Sequence, residues 1–455
     1  MIYYYYQNIK KMKKLFLLGF ALMSLLEVSA KEYNIVDYGA KNDTTQLSTG
    51  AIQKAIDECN AAGGGVVVVP AGMYKMGSII LKSHVNLYLE QGAYLYGSTD
   101  LNDYIKVKPD YVSLRTQRET IQLIYADKVE DVKISGSGTI DGRGKGFKKL
   151  TETDEGITRP HLLRFIDSKD ITVEGITLRN SGCWMQHYLA CDRVIIRGIK
   201  VYNRNNYNND ALDIDGCHEV VISDLISDSD DDGITLKSTS PRLCENVTIS
   251  NCVVSSHCNA IKLGTETNGG FRNINIHGMV VKPSYNQDNL SYGNRHGVSG
   301  ISLEIVDGGT MENISVSDVT ILGTEVPIFV RLGNRARGYY EGQKIDHVGT
   351  IRNVTIQNVR AMEAGNIGCS ITGLPGHPVE NITLSNIYIS HQGGSAKVSV
   401  PTNERERSYP EGIMWGVLPA KGFFVRHARN VKFDNVEIAT TAPDERPDMV
   451  KIDAE

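Results

Sequence analysis

The chain lacks the marks of several protein classes. Proline occurs only 13 times in 455 residues against 44 glycines, which suits many turns but not long stiff or disordered linkers. No two of the eight cysteines form a CxxC pair, which argues against a zinc site. Basic charge is in deficit, with 48 Lys and Arg against 53 Asp and Glu for a net charge of −5; a nucleic-acid binder would need a basic footprint. The one long apolar run, residues 15–26, has 12 residues and is too short to span a bilayer comfortably. Hydrophobic content of 41% and charged content of 22% are those of a folded, soluble chain.

That apolar run follows Lys10, Lys11, Lys13 and Lys14 and precedes the small-residue site Val28-Ser29-Ala30. The order reads as an export signal over residues 1–30, with the mature chain starting near Lys31 and Met12 as an alternative start. Removing four lysines and Glu27 takes the net charge from −5 to −8. A cleft can still hold an anionic sugar, because local fields can oppose the net charge. The protein is expected in a periplasm or outside the cell, without a membrane span, as a monomer.

What the chain has is a repeat. A polar residue followed by alternating β-branched residues recurs from Asp131-Val132-Lys133-Ile134 through Asn246-Val247-Thr248-Ile249 to Asn430-Val431-Lys432-Phe433. The first residues of the ten copies lie 39, 23, 26, 27, 27, 40, 40, 28 and 49 apart: one coil in the twenties, or one coil with an insertion. Period-2 strands at that interval, with no helices between them, predict a parallel β-helix over residues 31–455. Inward Val and Ile should stack as its core, and the asparagines that open later copies should stack amide on amide, satisfying buried polar groups. That fixed place favours a structural role over glycosylation for Asn246, Asn313, Asn353 and Asn381, although each is a sequon. Ala51, Ile52, Ala55, Ile56 and Cys59 fall at helical spacing before Gly63-Gly64-Gly65, which predicts a short helix capping the open end of the stack. Cys191, Cys217 and Cys244, spaced by nearly one coil, should form an internal ladder. Insertions 283–298 and 333–349 should flank a cleft.

Within the repeats stand Asp210 and the pair Asp231-Asp232, 21 residues on. One coil of separation would set the three carboxylates side by side on one strand face. Each ionised carboxylate then raises its neighbours' pKa. Inverting glycoside hydrolysis uses such a set: one carboxyl stays protonated as the acid, and another, ionised, activates water. Asp230 competes for the register, but Gly233-Ile234 after the pair favours Asp231 and Asp232.

At these residues the chain resembles the family 28 glycoside hydrolases, the polygalacturonase family. Tyr33 to Ala40, Ser181-Gly182-Cys183-Trp184-Met185-Gln186-His187, Asn209 with Asp210 in register with the family's Asn-x-Asp motif (here within Asn208-Asn209-Asp210), and Asp231-Asp232 carry the likeness. The resemblance implies a right-handed parallel β-helix and an all-β fold. It implies Asp231 as general acid, Asp210 and Asp232 as the groups that hold and activate water, no metal and no cofactor. The substrate would be a pectic polysaccharide or oligosaccharide, cut within the chain or from an end.

Two family motifs are altered. Asn259 stands where the family has a histidine, and His257, two residues earlier, is the candidate substitute on the same strand face. The Arg-x-Lys positions fall on Ser302 and Glu304, so Lys262 and Arg331 are the candidates to restore positive charge, with Glu304 as a partner for one of them. Lys237 is expected to face the cleft, Asn209 to contact substrate or orient Asp210, and Trp184 to be a cleft wall or buried with His187. Two other readings stay open: a polysaccharide lyase on the same fold using calcium on the Asp cluster, and a non-catalytic glycan-binding β-helix.

Overall fold

The computed structural model describes residues 31–151, 153–285 and 296–455. The export signal expected over residues 1–30, and most of the 283–298 insertion, lie outside these. The strands wind into a parallel β-helix with three strands to a typical coil. One coil runs through Asp192–Arg197, Lys200–Asn203 and Leu212–Asp215, and the next through His218–Ser223, Ile226–Ser229 and Ile234–Ser238. Each strand pairs in parallel with its counterpart one coil on. Parallel crossovers of this kind are right-handed, and the fold is the expected right-handed parallel β-helix. Among the described residues the exceptions are a short antiparallel pairing of Lys106–Val107 with Thr120 and Ile121 and the isolated antiparallel bridges Arg337–Lys344 and Leu374–His377.

The repeat and the register coincide. Val132, Ile171, Val194, Val220, Val247, Ile274, Ile314, Val354, Ile382 and Val431 stand one over another, and all are buried. Each such side chain contributes about 1.5–3 kcal/mol by leaving water. The polar residue before each of them has a left-handed backbone, from Asp131 at φ 55 through Asn313 at φ 59 to Asn430 at φ 52. Most L-residues are strained there and asparagine is tolerated, which explains its place in the later copies. Asn273, Asn313, Asn353, Asn381 and Asn430 each donate a side-chain amide to the asparagine one coil earlier, at 2.7–3.3 Å. The ladder is as expected, but it runs along the exposed surface and not in the interior, because the left-handed turn points its side chain outward.

Helix α1 (Thr49–Ala61) buries Ile52, Ala55, Ile56 and Cys59 against the first coils. All eight cysteines are unpaired and buried, and the Cys191 backbone N–H donates to Cys217 Sγ at 3.3 Å. Among the described residues no helix is long and apolar enough to cross a membrane.

Candidate active site

A cleft of about 790 Å³ runs over the third strand of the middle coils. Asp210 and Asp231-Asp232 stand just ahead of Leu212–Asp215 and Ile234–Ser238, in the turns entering those strands. Leu212 pairs with Ile234, so the same register carried two residues back sets Asp210 opposite Asp232, with Asp231 one step aside. All three line the cleft, with Trp184, Lys237, Glu266 and Tyr409.

The two neighbouring carboxylates are dressed differently. Asp232 Oδ2 meets the Lys262 ammonium at 3.0 Å. Its Oδ1 accepts from the Asn259 side-chain amide at 2.9 Å and backbone N–H at 3.2 Å. Burial acts upward on Asp232, but Lys262, Lys237 and Asn259 outweigh it and hold the carboxyl below its ordinary value. Asp231 accepts the Asp232 backbone N–H at 2.9 Å. Burial, followed by the Asp232 charge, pushes Asp231 up to about 6. Asp210 rises well above the carboxylate range through burial and the charges of Asp213 and Asp231.

Lys237 ties the floor together. Its ammonium lies 4.0 Å from Asp210, 3.5 Å from Asp213 and 3.4 Å from Glu266, and 4.7 Å from the centre of the Trp184 ring. Glu266 also takes Arg115 at 2.5 Å and Arg337 at 3.0 Å. His187 Nε2–H donates to the Asp215 carboxylate at 3.0 Å, and the ring packs edge-on against Trp184. Burial holds the imidazole at about 4, hence neutral.

A metal has one candidate seat here. Asp231, Asp232 and Cys258 bring ligand atoms within 4.8 Å of one another. However, Asp232 already carries the Lys262 ammonium and the Asn259 amide, and burial pushes the Cys258 thiol up. A calcium ion would have to compete with the Lys262 ammonium for Asp232.

Residues 59–407 match the model of glycosyl hydrolases family 28. The chain belongs to that family. It is 28% identical to a probable polygalacturonase of Vitis vinifera over 87% of this chain and 81% of that protein. It is 29% identical to a probable rhamnogalacturonase A of Aspergillus oryzae over 53% of this chain and 47% of that one. In fold it is similar to the exopolygalacturonase of Thermotoga maritima, with a TM-score of 0.69, 22% identity, and 91% and 93% of the two chains covered. This family 28 chain is thus a glycoside hydrolase of the pectin-degrading kind.

The structure brings Asp210, Asp231, Asp232 and Lys237 together, with Asn259 and Lys262 behind Asp232. It corrects three candidates. Asn209 is fully buried; its amide donates to the Ser181 and Cys183 carbonyls and its oxygen accepts from the Asn206 N–H, so it does not face the substrate but braces the turn that carries Asp210. Its neighbour Asn208 lines the cleft instead and accepts from Arg159 at 2.9 Å. His257 turns inward and meets Asp230 at 3.2 Å, away from the cleft lining, so it does not replace the family's histidine. Arg331 bonds Thr372, the Gly373 carbonyl and the Glu404 carbonyl and stacks on Trp415 at 5.1 Å; it pins a surface loop. Glu304 pairs in register with Arg331, but its carboxylate accepts from Ser302 at 2.7 Å, and burial pushes it up to about 7 despite Lys262.

Several residues of the site carried no sequence signal. Asp213 sits fully buried beneath Lys237 with neither oxygen hydrogen-bonded, and burial pushes it up to about 7. Tyr409 and Glu411 come from a late loop and reach back to Lys262 at 3.5 Å and 3.8 Å. Arg115 and Arg164 arrive from the coils before Trp184. The 333–349 insertion does flank the cleft, through Arg337, Gly338, Tyr340 and Glu341.

Proposed function

We propose that this chain is an exported, inverting hydrolase of galacturonic-acid-containing pectic glycans, of polygalacturonase or rhamnogalacturonan-hydrolase type. One observation carries the reading. Two adjacent carboxyls share a cleft, and one receives an ammonium and two amide N–H groups while the other receives a single backbone N–H. Environments that drive paired carboxyls apart assign acid and base. Asp231 keeps its proton in mildly acid solution and delivers it to the glycosidic oxygen as the bond to the anomeric carbon breaks. Asp232, ionised, takes a proton from the water that attacks the opposite face of the sugar, which inverts the anomeric centre. Asp210, set opposite Asp232 by the register, helps to hold that water. Export rests on the lysines, apolar run and small-residue site of residues 1–30.

The test is product analysis on a panel of galacturonan and rhamnogalacturonan oligosaccharides, with the anomer read by NMR in the first minutes. An inverted hemiacetal is expected, and its size distribution gives the cleavage mode. A retained anomer, or an unsaturated product that depends on calcium, would sink the assignment.

A further inference from the structure

The family's cation motif falls on Ser302 and Glu304 here, so the chain must meet a substrate carboxylate elsewhere. Arg164, on strand His161–Ile166, lines the cleft with only 1% of its surface exposed. Its bonded nitrogens donate to neutral oxygens, Thr120 Oγ1 and the Arg115 carbonyl. Its Nε is buried without a partner, and among the described residues no carboxylate forms an ion pair with it. A buried guanidinium without an ion-pair partner is costly, and the charge of Asp215 offsets that burial only in part. Beside it on the cleft wall stand Arg115, shared with Glu266, and exposed Arg118, which bonds the Thr153 carbonyl. The acids on that wall are Glu155, Glu266 and Glu341, and Glu266 is already matched by Arg115, Arg337 and Lys237. Arg164 pairs in register with His187, and His187 with Asp213. Asp213 pairs in turn with Thr235, on the coil of Asp231 and Asp232; at about 4.8 Å per coil Arg164 therefore sits roughly 10 Å along the groove from the coil of Asp210 and roughly 14 Å from that of Asp231 and Asp232, beside a more distant sugar and not the scissile bond.

We propose that Arg164, assisted by Arg118 and Arg115, is the seat for a uronate carboxylate of the bound glycan and sets the enzyme's preference for an acidic sugar at that position. The guanidinium fork suits a planar carboxylate. This rests on the hydrolase reading above, and the two fail separately: loss of that reading shows as no hydrolysis by the wild-type protein at all. The experiment compares kcat/KM for galacturonate oligosaccharides with that for the same oligosaccharides reduced at the carboxyl group. Wild-type protein should prefer the acidic series. R164Q should lower kcat/KM for the acidic series by tenfold or more, mostly through KM, and leave the reduced series within about twofold. R118Q, at an exposed position, should lower the acidic series alone by a smaller factor of about three, so the inference remains testable if R164Q does not fold. Equal losses on both series in R118Q, or in a folded R164Q, would overturn it.

Discussion

Lys262 is the group on which the assigned roles depend most directly, and its removal has a signed consequence. In Lys262→Met, Asp232 loses the ammonium 3.0 Å away but keeps the Asn259 bonds. At an effective dielectric of 20 the bare attraction at that distance is about 5 kcal/mol. Part of it only offsets the burial of the lysine itself, and a close opposite charge is worth about 1–3 pKa units in practice. Asp232 lies below its ordinary value with Lys262 in place, so removing the ammonium should raise it. Asp232 acts ionised, so the acidic limb of kcat/KM must move to higher pH. On an acidic limb set by one ionisation, each unit of upward shift predicts a loss on the order of tenfold at a fixed low pH. Lys262 also lowers Asp231, so the basic limb should move the same way, but less, because the ammonium bonds Asp232. Wild-type protein should have its optimum below pH 6 and K262M a narrower optimum at higher pH. The assay is reducing-sugar release at low substrate from pH 3 to 8, with K262R as the charge-conserving control and a thermal melt to confirm folding. An acidic limb that stays in place in folded K262M refutes Asp232 as the base.

Asp231→Asn should lower kcat by 10²–10⁴, as expected for loss of a general acid, with the loss largely relieved on a substrate whose leaving group needs no proton. Burial raises Asp213 and Glu304 to about 7 and Glu411 to about 8. These folded values exceed the unfolded ones, so the stability they favour is present below about pH 4 and lost as pH rises through 7 to 8; melting temperature followed by circular dichroism should fall between pH 5 and 8. Asn313→Ala places a Cβ-bearing residue without a stacking amide at φ 59 and should cost about 1–2 kcal/mol in urea unfolding, whereas Asn313→Gly should recover most of it.

The fold was legible because one physical requirement is written ten times. A left-handed turn residue followed by an inward β-branched pair is a local pattern, and stacking only repeats it. The register of Val132, Ile171 and Val194 follows from the spacing of those turns. The asparagine ladder was legible for the same reason, while its exposure was not: sequence gives the period of a turn, not which way its side chain points. The carboxylates at 210, 231 and 232 were legible as a group because they ride on that period. His257 and Asn259 share a strand parity, and only the coordinates show that Asp230 draws His257 inward while Asn259 reaches Asp232.

What stayed hidden came from residues that obey no period. Glu411 and Tyr409 lie beyond the family match at 407, on a loop whose length no repeat constrains, yet both stand on Lys262. Arg164 occupies an ordinary outward position of an ordinary strand. Its neighbours in register are a tyrosine, Tyr125, and a histidine, His187, and neither suggests an anion. The repeat thus fixes where acid and base stand, and the unrepeated loops and outward positions decide which sugar reaches them. Two family members can therefore share the three aspartates and differ in substrate through a handful of guanidiniums and loop carboxyls. On the proposed assignment, the cations that the family motif would place at Ser302 and Glu304 are replaced by guanidiniums at the other end of the same groove.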